Sequence, residues 1–182
     1  MSTFTLHNET TAPAASQPLL AAAKSTYGFV PNLFAGMAES PALLEGYMTL
    51  AGIFGKTVLS ETERQVIMMT ANRINECHYC MTAHSMISAM SGVPADVVEA
   101  LRAGSKIADP KLEALRTFTV RMMESRGWPS EQDLAALIAA GYTRQTVLEV
   151  VLGLGLKLLS NYTNHIVKTP IDAAFTAHTW SR

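Results

Sequence analysis

Both cysteines of the chain lie in one short segment, Cys77-His78-Tyr79-Cys80, and a histidine, His84, follows four residues later. On a helix that starts near Cys77, residues three and four apart are neighbours, so Cys77, Cys80 and His84 share one stripe. The unpaired backbone N–H groups of a helix N-terminus lower a thiol pKa and make the sulfur a better nucleophile. A second thiol can close a disulfide with the first, and an imidazole can move the proton. The three side chains therefore predict a redox site.

Two other interpretations of the cysteine pair stay open. Free cysteines pack as small hydrophobes, so the pair can be core filler, although filler seldom has this spacing. Cys77, Cys80 and His84 also supply three ligands for a tetrahedral zinc, which needs a fourth. His78 is better explained as solvent-facing, and His165 can complete the set only through a tertiary contact. Redox chemistry needs only the groups that the segment supplies, and we predict no metal and no organic cofactor.

Polar residues outside the cysteine segment are weaker candidates for the site. Gln65 lies twelve residues before Cys77 and can reach the site from the preceding helix, where an amide can orient an imidazole or hold a water. Glu63 is better explained as the partner of Ser60 in a helix cap. A buried polar network or a pocket wall is expected from three residues of the C-terminal region: Asn161, Asn164 and His165.

Length and composition predict one domain over residues 1–182, with a flexible polar segment over 1–12. The 182 residues are enough for one real core, and two halves of that length would each be marginal. Apolar residues make up 48% and charged residues 16%, which excludes disorder. The net charge is −1 with scattered Lys and Arg, so neither nucleic acid nor an anionic membrane surface is a predicted partner.

The sequence indicates a cytoplasmic protein. Its first residues, MSTFTLHNETTAP, lack a basic region followed by an apolar one, so no secretory signal is predicted. The longest strongly apolar run, Val150–Leu156, is too short to span a bilayer. In the cytosol a lone Cys-x-x-Cys pair is typical of catalysis or metal binding, and not of a structural disulfide.

Residues typical of helix starts and helix ends recur along the sequence, and no alternating β-branched runs joined by tight turns occur. Ser-Pro, Asp-Pro and capping-box signals mark helix starts, and glycines mark helix ends. We predict an all-α bundle of about eight or more helices. The expected helices cover residues 14–27, 33–39, 41–54, 61–75, 77–91, 94–103, 111–126, 131–140, 144–167 and 171–175.

The pKa argument requires a helix break just before the cysteines. Ser60 and Glu63 form a capping box that opens the helix leading to this segment. Asn72, Asn75 and the polar run Glu76-Cys77-His78 indicate that this helix ends before the first cysteine.

Residues 146–160 are apolar on nearly every side, so this helix must be enclosed. It is either a central core helix or a helix with one face in a subunit interface, and we expect a mixture of both. Gly153 and Gly155 would permit close approach of a neighbouring helix.

The cysteine segment resembles the alkylhydroperoxidase D-like and carboxymuconolactone decarboxylase superfamily, in particular its peroxidase-related branch. The specific part is the sequence CHYCMTAH over residues 77–84, preceded by the capped helix. Four flanking pieces are similar to the same branch: GFVPNL at 28–33, SPALL at 40–44, GVP at 92–94 and TPID at 169–172.

The resemblance implies an alkylhydroperoxidase D-like all-α fold, assembled as trimers or hexamers, and a thiol peroxidase that reduces hydrogen peroxide or alkyl hydroperoxides. Cys80 would attack the peroxide and pass through a sulfenic acid, Cys77 would resolve it to a disulfide, and His84 would assist proton transfer. An external dithiol would reduce the disulfide. Without the resemblance, the more N-terminal cysteine would be the expected nucleophile, and the stripe allows either assignment.

The sequence departs from this family at the proton relay. Gln65 stands where the best-studied members carry a glutamate, and a glutamine cannot relay a proton as an acid. Either Glu63, water or another residue replaces it, or turnover is weak. Tyr79 stands where the type member has a histidine. The decarboxylase branch proper does not use this cysteine pair, so decarboxylation is not predicted.

Two other functions stay open beside the peroxidase. One is a redox-responsive oligomeric binding protein, or a thiol–disulfide oxidoreductase, with little peroxidase turnover. The other is a Cys/His metal site.

Overall fold

The structure is a computed structural model that describes residues 3–181, and these form nine α-helices and one 3₁₀ helix without any strand. The predicted all-α class is confirmed. The helices are α1 (Gln17–Tyr27), α2 (Asn32–Met37), α3 (Pro41–Phe54), α4 (Glu61–Ile74), α5 (His78–Met90), α6 (Ala95–Ala103), α7 (Pro110–Glu124), α8 (Glu131–Ala139), α9 (Arg144–Val167) and the 3₁₀ helix η1 (Ala173–His178).

Local signals at the helix ends set most of these boundaries. The capping box of Ser60 and Glu63 opens α4, as predicted, and that of Ser130 and Asp133 opens α8. Gly104 ends α6 in the left-handed conformation at φ 72°, a conformation that costs glycine little because it has no Cβ.

Both chain ends differ from the expected helices. α1 begins at Gln17 and not at residue 14, because a turn that hydrogen-bonds Ser16 N to Pro13 O at 2.8 Å precedes it. The last element is a 3₁₀ helix over Ala173–His178, where an α-helix over 171–175 was expected. Asp172 makes no cap there because its carboxylate binds other parts of the molecule.

Helix α4 lies at the centre of the fold and packs against α5, α6, α7 and α9. One apolar cluster fills the space between α4 and the helices α6–α9. A second cluster joins α1, α2, α3 and α5 and contains both cysteines. Tyr47 of α3 packs against both clusters, so the cysteine region is built directly onto the main core.

The N-terminal segment was predicted to be flexible over 1–12, and residues 1 and 2 lie outside the described residues. From residue 3 onward the segment contacts the fold: His7 N donates to Ala35 O at 3.0 Å, its ring pairs with Glu39 at 2.8 Å, and Ala12 is buried. Its flexibility stays a prediction. Among residues 3–181, no helix combines the length and the apolar character needed to cross a membrane.

Helix α9 is part core and part surface. Val150 and Leu156 are buried, while Leu148, Val151 and Leu158 are exposed. Gly153 allows a close helix approach as predicted, because a Cβ there would lie 2.9 Å from Phe54 Cζ. A Cβ at Gly155 would meet nothing within 4 Å, so the prediction of a close approach is wrong at that position within the chain. The subunit interface stays a prediction.

Candidate active site

A sharp break between two helices places the cysteines. α4 ends at Ile74, Glu76 takes a left-handed conformation at φ 53°, and Cys77 is the extended N-cap residue of α5. Cys80 therefore lies in the first turn of a new helix, as the pKa argument requires. At this position the free N–H groups of the helix end favour a thiolate.

The two sulfurs are buried and share one amide. Cys77 is 1% exposed and Cys80 2%, and both are free thiols in this structure. Asn164 of α9 points its Nδ2 at both, with 3.1 Å to Cys80 Sγ and 3.8 Å to Cys77 Sγ. Because an amide N–H is a donor, this contact favours negative charge on Cys80.

The surroundings assign different protonation states to the two cysteines. Burial alone would raise the pKa of Cys80, but a hydrogen bond from Cys77, the charge of Lys157, and the polar groups of Ser160 and Asn161 lower this pKa to about 5. The hydrogen bond to Cys80 and burial raise the pKa of Cys77. At neutral pH Cys80 is the thiolate and Cys77 the thiol.

His84 is held at both ring nitrogens. Its Nδ1 lies 2.8 Å from Gln65 Oε1, and its Nε2 lies 3.0 Å from Lys157 Nζ. Burial and the charge of Lys157 lower the pKa of His84 well below its ordinary value, so the ring is neutral. Since an ammonium only donates, Nε2 accepts from Lys157 and Nδ1–H donates to Gln65.

The hydrogen-bond chain continues from Gln65 to a carboxylate. Gln65 is 1% exposed, and its Nε2 donates to Glu61 Oε1 at 2.7 Å. The sequence prediction that Gln65 reaches the site and orients an imidazole agrees with this geometry. Glu61 was missed, although its position four residues before Gln65 on one helix is a signal for such a pair.

Glu63, one of the alternatives for the missing relay glutamate, lies outside this chain of contacts. Its carboxylate accepts from Ser60 N at 2.8 Å and from Ser60 Oγ at 2.9 Å, and it lies 3.4 Å from Lys111 Nζ. Glu63 therefore serves the cap of α4, which is the structural role that the sequence also indicated.

Lys157 is the residue that sequence reasoning missed most clearly. It is 1% exposed and lies on α9, 73 residues from His84 in the chain. It directly follows the apolar run Val150–Leu156, and no role was predicted for it. The available signal was a single charged residue flanked on both sides by apolar ones, because lysine is rarely buried without a function or a partner.

The predicted polar network on α9 exists, but without His165. Asn161 is fully buried, donates to Asn72 Oδ1 at 3.0 Å and accepts from Asn75 Nδ2 at 2.8 Å. His165 is exposed and stacks on Tyr162, so it supplies no fourth metal ligand. Within residues 3–181 no group of three His, Cys, Asp or Glu side chains is placed to hold a metal ion.

The two residues between the cysteines have packing roles. His78 is exposed, as predicted, with its ring 5.1 Å from that of Trp180. Tyr79 is the packing anchor that the sequence indicated. Its hydroxyl donates to Asp172 Oδ2 at 2.6 Å and accepts from Leu33 N at 3.2 Å. These two hydrogen bonds join α5 to α2 and to the C-terminal segment, and they hold Tyr79 in the cavity wall beside Cys80.

Cys80 borders a cavity of about 390 Å³. Its polar floor consists of Cys80, His84 and Lys157, and Cys77 does not line it. The walls are mostly aromatic and aliphatic: Tyr27, Phe29, Pro31, Leu33, Phe34, Tyr47, Tyr79, Ala83, Met86, Ile87, Met90 and Phe175. Of the two cysteines, only Cys80 is therefore open to a molecule in this cavity.

Residues 41–119 match the carboxymuconolactone decarboxylase family. This segment contains both cysteines, His84 and Gln65. No curated protein shows significant sequence similarity to the chain.

Several solved structures share the fold over nearly the whole chain. A peroxidase-related protein from Ralstonia eutropha JMP134 with an alkylhydroperoxidase core is 20% identical, with a TM-score of 0.84, over 96% of this chain and 94% of its own. A peroxidase-related protein from Silicibacter sp. TM1040 is 21% identical, with a TM-score of 0.79, over 96% of this chain and 95% of its own. The debrominase Bmp8, as a cysteine-to-alanine variant in complex with 2,3,4-tribromopyrrole, is 19% identical, with a TM-score of 0.80, over 98% and 96%.

Proposed function

Residues 41–119 match the carboxymuconolactone decarboxylase family, and we propose that the chain is an alkylhydroperoxidase D-like thiol peroxidase that reduces hydroperoxides through Cys80 and Cys77. The observation that carries this proposal is the thiolate of Cys80 at the floor of a cavity, with the thiol of Cys77 hydrogen-bonded to it. Neither a metal nor an organic cofactor is needed for this chemistry.

The reaction proceeds in two steps and consumes two thiols. The Cys80 thiolate attacks the terminal oxygen of the hydroperoxide, an S–O bond forms, the O–O bond breaks, and the departing alkoxide takes a proton to become an alcohol. Cys77 then attacks the sulfenic sulfur, an S–S bond forms, and the hydroxyl group leaves as water with the thiol proton. An external dithiol reduces the disulfide.

The assignment of the two cysteines follows from their surroundings. Cys80 has the lowered pKa and the cavity, while Cys77 has the raised pKa and no access to the cavity. This supports the order that the family resemblance implies over the order with the N-terminal cysteine as nucleophile. His84 and Gln65 complete the proposed site, and Glu63 does not belong to it.

The cavity favours an organic hydroperoxide over hydrogen peroxide. A volume of about 390 Å³ is far larger than hydrogen peroxide requires, and its walls carry four edge-to-face aromatic pairs. Burying an apolar substrate body there contributes about 25 cal/mol per Å² of apolar surface. A small polar peroxide obtains none of that stabilisation.

Oligomerisation into a trimer or hexamer stays part of the proposal. The row Leu148, Val151, Leu158 and Ile166 leaves large apolar side chains exposed on one helix, with exposed fractions of 70%, 48%, 48% and 61%. A surface of this kind is typical of a protein–protein contact.

A second candidate function is reductive dehalogenation of an aromatic ring. It is favoured by the aromatic cavity that ends in a thiolate, together with the shared fold of the debrominase Bmp8. The Cys80 thiolate would take the halogen, the ring carbon would take a proton, and Cys77 would displace halide as the disulfide forms.

The test measures substrate consumption by reduced protein with a dithiol donor. We expect turnover of cumene hydroperoxide at a higher kcat/KM than hydrogen peroxide, and complete loss in Cys80→Ser. Cys77→Ser serves as the matched control, because it should react once and leave a sulfenic acid on Cys80 that dimedone traps. Peroxide consumption that survives in Cys80→Ser would overturn the proposal. Bromide release from 2,3,4-tribromopyrrole without hydroperoxide turnover would replace it by the second candidate.

A further inference from the structure

Lys157 is a buried cation that no carboxylate of the described residues contacts. It is 1% exposed, and among residues 3–181 no Asp or Glu oxygen lies within 4.0 Å of its Nζ. Removing an ammonium from water costs several kcal/mol unless another charge compensates it. A fold keeps such a group only if something at the site requires the charge.

The groups around Lys157 leave one candidate for the compensating charge. From α5 come the neutral ring of His84 and the Cys80 thiolate. From α3 comes Tyr47, whose pKa is raised by burial and by Cys80, so that its hydroxyl stays protonated. From α4 comes Gln65, an amide, with Glu61 one hydrogen bond further away. Helix α2 contributes no titratable side chain. Cys80 and Lys157 line the same cavity, so the Cys80 thiolate is the anion available to Lys157.

The hydrogen-bond chain beside Lys157 runs in one direction. Lys157 donates to His84, His84 donates to Gln65, and Gln65 donates to Glu61, over 3.0, 2.8 and 2.7 Å. Every member is a donor toward the carboxylate, which leaves the positive charge at Lys157 and keeps His84 uncharged. A neutral imidazole whose two nitrogens are both occupied is a poor proton source for a leaving group.

We propose that Lys157 is the general acid of this site: its ammonium pairs with the Cys80 thiolate and gives its proton to the departing alkoxide, while His84, Gln65 and Glu61 only position it. This inference rests on the proposed thiol peroxidase function. It assigns the transferred proton to a lysine of α9, in a site where Gln65 stands at the position of the family's relay glutamate.

The protons and charges balance with one lysine. Before reaction Cys80 is a thiolate, Cys77 a thiol and Lys157 an ammonium. Attack on the hydroperoxide gives the sulfenic acid of Cys80, an alcohol and a neutral Lys157 amine. Disulfide formation releases water, which carries the Cys77 proton. The neutral amine then regains a proton from solvent, and reduction of the disulfide restores the thiolate–ammonium pair.

The experiment distinguishes two contributions of Lys157: its positive charge, which stabilises the thiolate, and its proton, which it gives to the alkoxide. Lys157→Met removes both, whereas Lys157→Arg keeps the charge but holds its proton at every usable pH. Two rates are measured in each reduced variant: alkylation of Cys80 by iodoacetamide against pH, in a Cys77→Ser background, and single-turnover oxidation by cumene hydroperoxide.

For Lys157→Met we expect the alkylation midpoint to move to higher pH and oxidation to slow by about 100-fold at neutral pH. For Lys157→Arg the alkylation midpoint should stay near that of the parent protein, while oxidation remains slow. Added ethylamine should partly restore oxidation in Lys157→Met. Lys157→Gln, compared by thermal unfolding, provides a second neutral variant should Lys157→Met fail to fold.

Wild-type oxidation rates in Lys157→Arg would show that charge alone suffices and would overturn the inference. Wild-type oxidation rates in Lys157→Met or Lys157→Gln would overturn it as well. In both cases an inactive Cys80→Ser would leave the proposed function intact. If instead the parent protein oxidised no hydroperoxide at all, the proposed function would fail, and the role of Lys157 as a general acid would fall with it.

Discussion

Both halves of α9 contribute buried residues to the fold, but these residues are mainly apolar in the first half and mainly polar in the second. Over residues 144–156 the buried positions that follow the capping residue Thr146 are apolar: Val150, Gly153 and Leu156. Over residues 157–167 the inward positions are polar, and they consist of Lys157, Ser160, Asn161 and Asn164, followed by Val167. The first half packs on Phe54 and Ile67, and the second half lies beneath the two sulfurs.

The difference shows which part of the helix serves stability and which serves the site. Apolar burial contributes free energy of folding without any partner requirement. Buried amides and an ammonium contribute only when every polar atom is paired, and they cost more than they return when one is not. A change of polarity within one continuous helix therefore marks the candidate active site more sharply than burial does.

Among the substitutions in α9, the largest loss of stability is expected in its polar half, residues 157–167. Asn161→Leu keeps the number and branching of the side-chain heavy atoms but leaves Asn72 and Asn75 without their amide partner. We expect a loss of about 3 kcal/mol in the free energy of unfolding, from one buried and one half-buried amide that lose their partner. Chemical denaturation measures it.

The double variant Asn72→Ala with Asn161→Leu is the control for this prediction. It should recover part of the loss because one unpaired amide is removed as well. A single variant as stable as the parent protein would show that the network contributes nothing to folding.

The apolar half offers a matched pair of glycines with effects of opposite sign. Gly153→Ala should destabilise the fold by about 2 kcal/mol, since its Cβ would lie 2.9 Å from Phe54 Cζ and 3.0 Å from Ile67 Cγ2. Gly155→Ala should stabilise it by about 0.5–1 kcal/mol, because alanine is the better helix former and the site is open. Thermal unfolding compares the two, and equal shifts would contradict this account of the packing.

The last prediction concerns the pH dependence of stability. The pKa of Cys80 is lower in the folded protein, so the folded state binds fewer protons than the unfolded state between about 5 and about 8.5. The free energy of unfolding of the reduced protein should therefore rise with pH across this window, and the contribution should be lost as pH falls through the folded pKa. The lowered pKa of His84 acts in the same direction below its ordinary value.

Cys80→Ser should flatten this rise, while Cys77→Ser should flatten it less, because Cys77 stays a thiol in the folded protein over the same window. Unfolding by urea at a series of pH values, under reducing conditions, distinguishes the two variants. If the free energy of unfolding depended on pH equally in Cys80→Ser and in the parent protein, the Cys80 thiol of the parent protein would have an ordinary pKa.

The sequence by itself determined most of the helices between the two chain ends, the capping boxes, the break before Cys77 and the stripe of Cys77, Cys80 and His84. These features depend on contacts between residues three or four apart, which a helix makes wherever it occurs. Gln65 was also within reach of prediction, because a helix break between two known helices limits where its side chain can lie.

Only the tertiary structure decided which polar groups meet the sulfurs. Lys157 and Asn164 come from a helix 73 and 84 residues away from their partners, His84 and Cys80. Their identity depends on how α9 crosses α5, and no local pattern encodes that crossing. Glu61 is different, because its contact with Gln65 is local: the two lie four residues apart on α4, and the capping box holds Glu63 at Ser60.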